Sequence, residues 1–289
     1  MTPGPLRKAL LGTALLVLVV VAVSAFIRLS QAGLDCAGWP ACYAQPVVAV
    51  VAEANSPAVV DSMPIAIARG IHRLAASAVG ILLIGIVLVG WDKFNGVAGK
   101  GIAVAAIALT AFLAWLGRFT PSDLPVVVLG NMLGGMALFG MLWWLASGGP
   151  GASRHRGVAL PIVALVILAV QLALGGLLSA RRQLLSCPTL PSCNGSWWPS
   201  AVEGELFNPL VANSDLAADG AALVLTHRLG AIVVALIVGG LALNAVRAGG
   251  GIARTGKLLF VLLAVQGLLG ASMALVARPL PQAVLHNFG

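Results

Sequence analysis

Seven stretches of this chain are each long and apolar enough to cross a bilayer, and that decides the fold class before any single residue is weighed. A spanning helix needs roughly 20 predominantly apolar residues, and runs of about that length fall near 9–28, 71–91, 101–117, 125–147, 157–179, 221–245 and 257–277. In hydrocarbon every backbone amide must bond within its own segment or a closed barrel, so continuous apolar runs of this length are helices. An eighth helix begins at Pro281 in Pro-Gln-Ala-Val-Leu-His-Asn-Phe-Gly and is read as truncated, being too short to cross alone before Gly289. The first run follows Arg7 and Lys8; it is longer than a signal-peptide core and lacks a convincing small-residue cleavage site, so it is read as a helix. The expectation is an all-α polytopic membrane protein of eight helices.

The charge pattern sets an orientation. Only 9% of residues are charged and the net charge is +8. The basic residues lie between apolar runs and form no groove, which excludes nucleic acid as a partner. With the N-terminus cytoplasmic, the inside segments collect Arg7, Lys8, Lys93, Lys100, Arg154, Arg156, Arg247, Arg254 and Lys257, with Asp92 as their one acid. That satisfies the positive-inside rule and predicts a multi-pass protein of a bacterial-type inner membrane. Cys36, Cys42, Cys187 and Cys193 then all fall in outside loops, where an oxidising compartment permits disulfides. Each pair is separated by five residues. Unpaired thiols are the bland alternative, and a metal site is less favoured because neither loop holds a histidine.

The chain reads as two similar halves, 1–150 and 151–289. Each runs helix, outside loop with Cys-x5-Cys, helix opening with His-Arg-Leu, helix, helix. Ile71-His72-Arg73-Leu74 answers Thr226-His227-Arg228-Leu229, and Pro125-Val-Val-Val-Leu-Gly-Asn131 answers Pro281-Gln-Ala-Val-Leu-His286-Asn287. Four helices per half, an even number, make the repeat parallel.

His72, His227 and His286 each sit within a turn or two of the outer end of a span. An intramembrane ionisable residue is costly and is a functional candidate by default, and neutral imidazole suits iron. Two facing helices with one histidine each can clamp a heme from both axial sides, and in the second half His227 and His286 supply such a pair. For one histidine alone, an interfacial imidazole bonded to water or a carbonyl is the plainer reading. His155, between Arg154 and Arg156, reads as a solvated or headgroup residue. Arg73 and Arg228 suit either heme propionates or snorkelling; Arg28, Arg181 and Arg182 read as snorkelling. Trp39, Trp197 and Trp198 read as interfacial-belt residues, and the Gly-Gly pairs at 134–135, 175–176 and 239–240 as helix packing.

These residues together resemble the heme A synthase family of cytochrome oxidase assembly proteins. The likeness rests on Arg28-Leu-Ser-Gln-Ala-Gly-Leu-Asp-Cys36 with Trp39-Pro40 and Cys42, on the two His-Arg motifs, on Asn131-Met-Leu-Gly-Gly135 before a Trp pair, and on Leu285-His286-Asn287. The resemblance implies a heme b held by His227 and His286 in the second half and a substrate heme in the first, on the side of His72. The implied reaction oxidises the C8 methyl of heme O to a formyl group, giving heme A. Heme O is then the substrate, with a heme O synthase, terminal-oxidase assembly partners and self-association as candidate interactions.

Two departures fall in the first half. Where the family pattern has a Glu three residues before the first-half histidine, this chain has Arg69. Where its fourth-helix motif reads His-Leu-Leu-Gly-Gly, this chain has Asn131; by direct counting the repeat partner of His286 is Gly130. A non-catalytic heme b-binding protein in heme handling, electron transfer or oxidase assembly is therefore the second reading. A transporter built on a parallel repeat is the third, and it lacks paired charges at the midplane.

Overall fold

The computed structural model describes residues 4–32, 34, 63–149, 159–193, 195–198, 204–216, 219–273 and 280–288. Among the described residues eight α-helices follow one another: α1 Gly4–Gln31, α2 Met63–Gly90, α3 Gly96–Leu116, α4 Pro125–Ser147, α5 Ala159–Ala180, α6 Ala221–Ala248, α7 Gly250–Ser272 and α8 Leu280–Phe288. Among the described residues the only β pairing is an isolated bridge between Cys193 and Ser196. Seven of the described helices are long and apolar enough to span a membrane, so the chain is an all-α multi-pass membrane protein. Helices α5 and α7 turn large apolar side chains outward, Leu165 and Leu268 among them. A surface of that kind suits acyl chains as solvent, not water.

Helices α2 and α7 begin eight and seven residues before the apolar runs that announced them. The physical reason is that an apolar window marks the hydrocarbon slab, whereas the i→i−4 hydrogen-bond ladder continues into the interface and tolerates Arg254 there. In consequence His72 is the tenth residue of α2 and His227 the seventh of α6; neither opens its helix.

The chain divides into two compact units. The first comprises Met1–Pro121 and Gly130–Ser153 with Phe288; the second comprises Ser122–Leu129 and Arg154–Asn287 with Gly289. In the first, α1 packs on α2 and α2 on α3. Leu10, Val17 and Val21 of α1 meet Leu83 and Ile86 of α2, Ala103 and Ala106 of α3, and Leu138 and Leu142 of α4. A methyl group at Gly135 would stand 2.9 Å from a Val21 methyl, so that glycine lets the helices approach as small residues do in lipid.

In the second unit α6 packs against both α5 and α7. The turn from α6 to α7 is made by Gly249 and Gly250 at φ of +75° and +58°, a left-handed conformation that costs glycine little. Farther along α7, a Cβ at Gly256 would lie 2.5 Å from the carbonyl oxygen of Ala242.

Cys187 and Cys193 form a disulfide, and both are buried against Val224 and Leu225 of α6. Cys36, Cys42, Trp39 and His155 lie outside the described residues.

Candidate functional site

The loop around the disulfide is built on two arginines. Arg228 donates to the carbonyl oxygens of Thr189 and Cys187, each at 2.8 Å, with longer contacts to Ser192 O and Cys187 Sγ. Its guanidinium thus holds the loop directly after the histidine of α6. Arg181 is 4% exposed, not snorkelling. It donates to the carbonyls of Val211, Glu205 and Asn208 and to Asn213 Oδ1, at 2.8 to 3.2 Å. The planar fork of arginine satisfies several converging backbone acceptors at once, and the segment 204–215 folds around it. Asp123 joins the same assembly, accepting from the Ser214 amide at 3.0 Å.

Beneath this loop the rings of His227 and His286 come together, their centres 6.3 Å apart and their planes at 88°. Each histidine is the seventh residue of its helix. Each also lies on a glycine: a Cβ at Gly175 of α5 would come within 2.9 Å of His227 Cε1, and one at Gly270 of α7 within 3.0 Å of His286 Cε1. Two glutamines complete the site. Gln171 Nε2 donates to the His227 carbonyl oxygen at 2.9 Å and lies 3.1 Å from its Nδ1. Gln266 Nε2 donates to the His286 carbonyl oxygen at 3.2 Å. The Nδ1 of His286 and the Oε1 atoms of both glutamines are buried without a hydrogen-bond partner.

This donor set fits a heme iron. Two imidazoles whose ring centres lie 6.3 Å apart are close enough for both to reach one iron. Among the described residues no three His, Cys, Asp or Glu side chains converge; a heme asks the protein for axial ligands only, because its porphyrin supplies the equatorial ones.

A sequence profile of the COX15-CtaA family of cytochrome oxidase assembly proteins matches residues 7–289. The chain belongs to that family. It is 29% identical to the heme A synthase of Shewanella oneidensis over 96% of this chain and 90% of that protein. It is 27% identical to the heme A synthase of Methylobacterium sp. (strain 4-46), over 97% and 87% of the two chains. With the heme A synthase of Rhizorhabdus wittichii it shares 25% identity over 68% and 66%.

Within this assembly-protein family member the first unit is equipped differently from the second. His72 is half-buried on α2, with Arg69 one turn before it and Arg73 exposed after it. Among the described residues of that unit, His72 is the sole imidazole. Asn131 is half-buried on α4. At Gly130, the counted partner of His286, a Cβ would lie 2.6 Å from a Leu116 methyl. A larger residue at position 130 would have to displace that leucine tip.

Sequence reasoning passed over Gln171 and Gln266. A signal was present: each is a polar residue inside an apolar run, and each precedes a glycine by four positions, in Gln171-Leu-Ala-Leu-Gly175 and Gln266-Gly-Leu-Leu-Gly270.

Proposed function

We propose that this chain is a heme A synthase-type oxidoreductase of cytochrome oxidase biogenesis, acting on heme O and oxidising its C8 methyl to a formyl group. The observation that carries the reading is the 6.3 Å approach of His227 to His286 in a chain of the assembly family. In this reading His227 and His286 hold a resident heme b, whose iron supplies one-electron chemistry when bound. The residues of the chain position it and set its surroundings. The two imidazoles would hold it from α6 and α8, and Leu223, one turn before His227, is a fully buried apolar side chain. Arg228 belongs to the same loop-holding group and presents positive charge beside the site, a charge suited to propionates at the rim. The first half, 1–150, receives heme O beside His72, with Arg69 and Asn131 standing where the family carries Glu and His. The second half, 151–289, is the heme b half. The membrane is the bacterial inner membrane, with the N-terminus inside and the cysteine loops outside.

A specific observation favours a second reading. Leu116 occupies the space beside Gly130, and His72 has no companion imidazole among the described residues of its unit. A chain so equipped could hold heme b without converting heme O. The deciding experiment expresses the protein in membranes supplied with heme O and separates the extracted hemes by chromatography. Heme A or its hydroxylated precursor is expected. Recovery of heme O and heme b alone, from protein that shows a low-spin heme spectrum, would replace the first reading with the second.

A further inference from the structure

The second unit contains a duplication finer than the division into halves. On α5, Gln171 and Gly175 are four residues apart, and both face His227 of α6: the glutamine through its amide at 2.9 Å, the glycine through close approach to the ring. On α7, Gln266 and Gly270 have the same spacing and meet His286 of α8 in the same two ways. Residues four apart share one helix face, so each preceding helix offers a polar contact and a gap to the helix that bears the imidazole.

We propose that Gln171 with Gly175, and Gln266 with Gly270, are two copies of one positioning device that fixes the orientation of the His227 and His286 rings toward a shared iron. The inference rests on the heme reading above and names residues which that reading does not use. Its physical content is twofold. The glycine sets the depth: with Cβ contacts of 2.9 and 3.0 Å awaiting any larger residue, only glycine leaves the ring where it stands. The glutamine sets rotation and tautomer. An imidazole that ligates through Nε2 carries its proton on Nδ1 and needs an acceptor there. The carboxamide of Gln171 lies 3.1 Å from Nδ1, and its oxygen and nitrogen are close to isosteric. A half-turn of that group changes it from a donor toward the free ring into an acceptor for the ligating one, at the expense of the bond from Nε2 to the His227 carbonyl oxygen. The Oε1 of Gln171, buried without a partner, is the acceptor that such an exchange would bring to the ring.

The test uses the full-length, heme-loaded protein in detergent, with the low-spin electron paramagnetic resonance signal and the heme reduction potential as readouts. Gln171→Glu supplies a stronger acceptor to Nδ1 and should lower the potential; Gln171→Leu removes the acceptor and should raise it, and Gln266→Leu, which removes the donor to the His286 carbonyl oxygen, should shift the low-spin signal. Gly175→Ala and Gly270→Ala should shift the low-spin signal or abolish it. Gly267→Ala, on α7 but with open space around its Cβ position, should leave it unchanged and controls for folding. His227→Ala and His286→Ala fix the baseline by losing the low-spin signal. If those losses occur while the glutamine and alanine variants keep the wild-type signal and potential, the positioning role is overturned and heme binding stands. If the histidine variants retain the signal, both the heme reading and the inference built on it fail.

Discussion

Arg228 donates to the carbonyl oxygen of Cys187 at 2.8 Å, which ties the residue after a candidate iron ligand to the disulfide that closes the neighbouring loop. Replacing Arg228 by methionine leaves the carbonyls of Cys187 and Thr189 without this donor. Charge-assisted hydrogen bonds contribute roughly 1.5–3 kcal/mol each to stability, less where water can substitute. A net loss of about 1–2 kcal/mol is expected from the half-exposed site, read as a lower melting temperature in detergent. Arg228→Lys should recover only part of it, because an ammonium cannot present two donors in one plane.

Arg181 is the larger risk. It is buried, and four acceptors converge on it. Arg181→Ala should cost on the order of 3 kcal/mol through carbonyls left unsatisfied. Protease should then cut the segment 204–216 faster than in the wild-type protein, and an equal rate of cleavage would contradict the role assigned to this side chain.

Asp123 gives that segment a pH dependence. The Ser214 amide, and after it the Ser214 side chain, hold its carboxyl below the usual carboxylate range. A depressed folded-state value means that the carboxylate contributes its stability above the unfolded value of about 3.9. The contribution is lost as pH falls from there through the folded value. The stability difference between wild type and Asp123→Asn should therefore be constant near neutrality, begin to shrink at about pH 4 and vanish only below the folded-state value. A difference that persists undiminished in acid would show that the ionised form is not what matters.

Gly256 lies where α7 packs directly on the backbone of α6. A methyl group there would meet the Ala242 carbonyl oxygen at 2.5 Å and the Val246 amide nitrogen at 2.9 Å. Backbone atoms cannot yield as a side-chain tip can, so Gly256→Ala should destabilise by roughly 1–3 kcal/mol or more. Gly240→Ala, with nothing near its Cβ position, should be neutral in the same melting assay.

Much of the fold was legible because hydropathy is local and additive. Each of the seven spans was placed from its own residues, and the errors came where helix and hydrocarbon part company, at the starts of α2 and α7. The site was legible in part. His227 and His286 stood out as rare imidazoles in apolar surroundings, whereas Gln171 and Gln266 are neutral and passed as incidental. The position of Arg181 at the end of a span is equally compatible with a headgroup and with a loop folded over it, so its burial is a property of the tertiary structure alone.

By itself the sequence determined that the chain crosses a membrane many times, and which helices carry the imidazoles, since the cost of moving each residue into lipid depends on that residue alone. Only the tertiary structure decided that His227 and His286 face one another, that a glutamine and a glycine stand behind each, and that Arg228 and Arg181 are engaged by loop carbonyls. Those are relations between distant segments, and they come from helix packing and hydrogen-bond direction, which no residue carries alone.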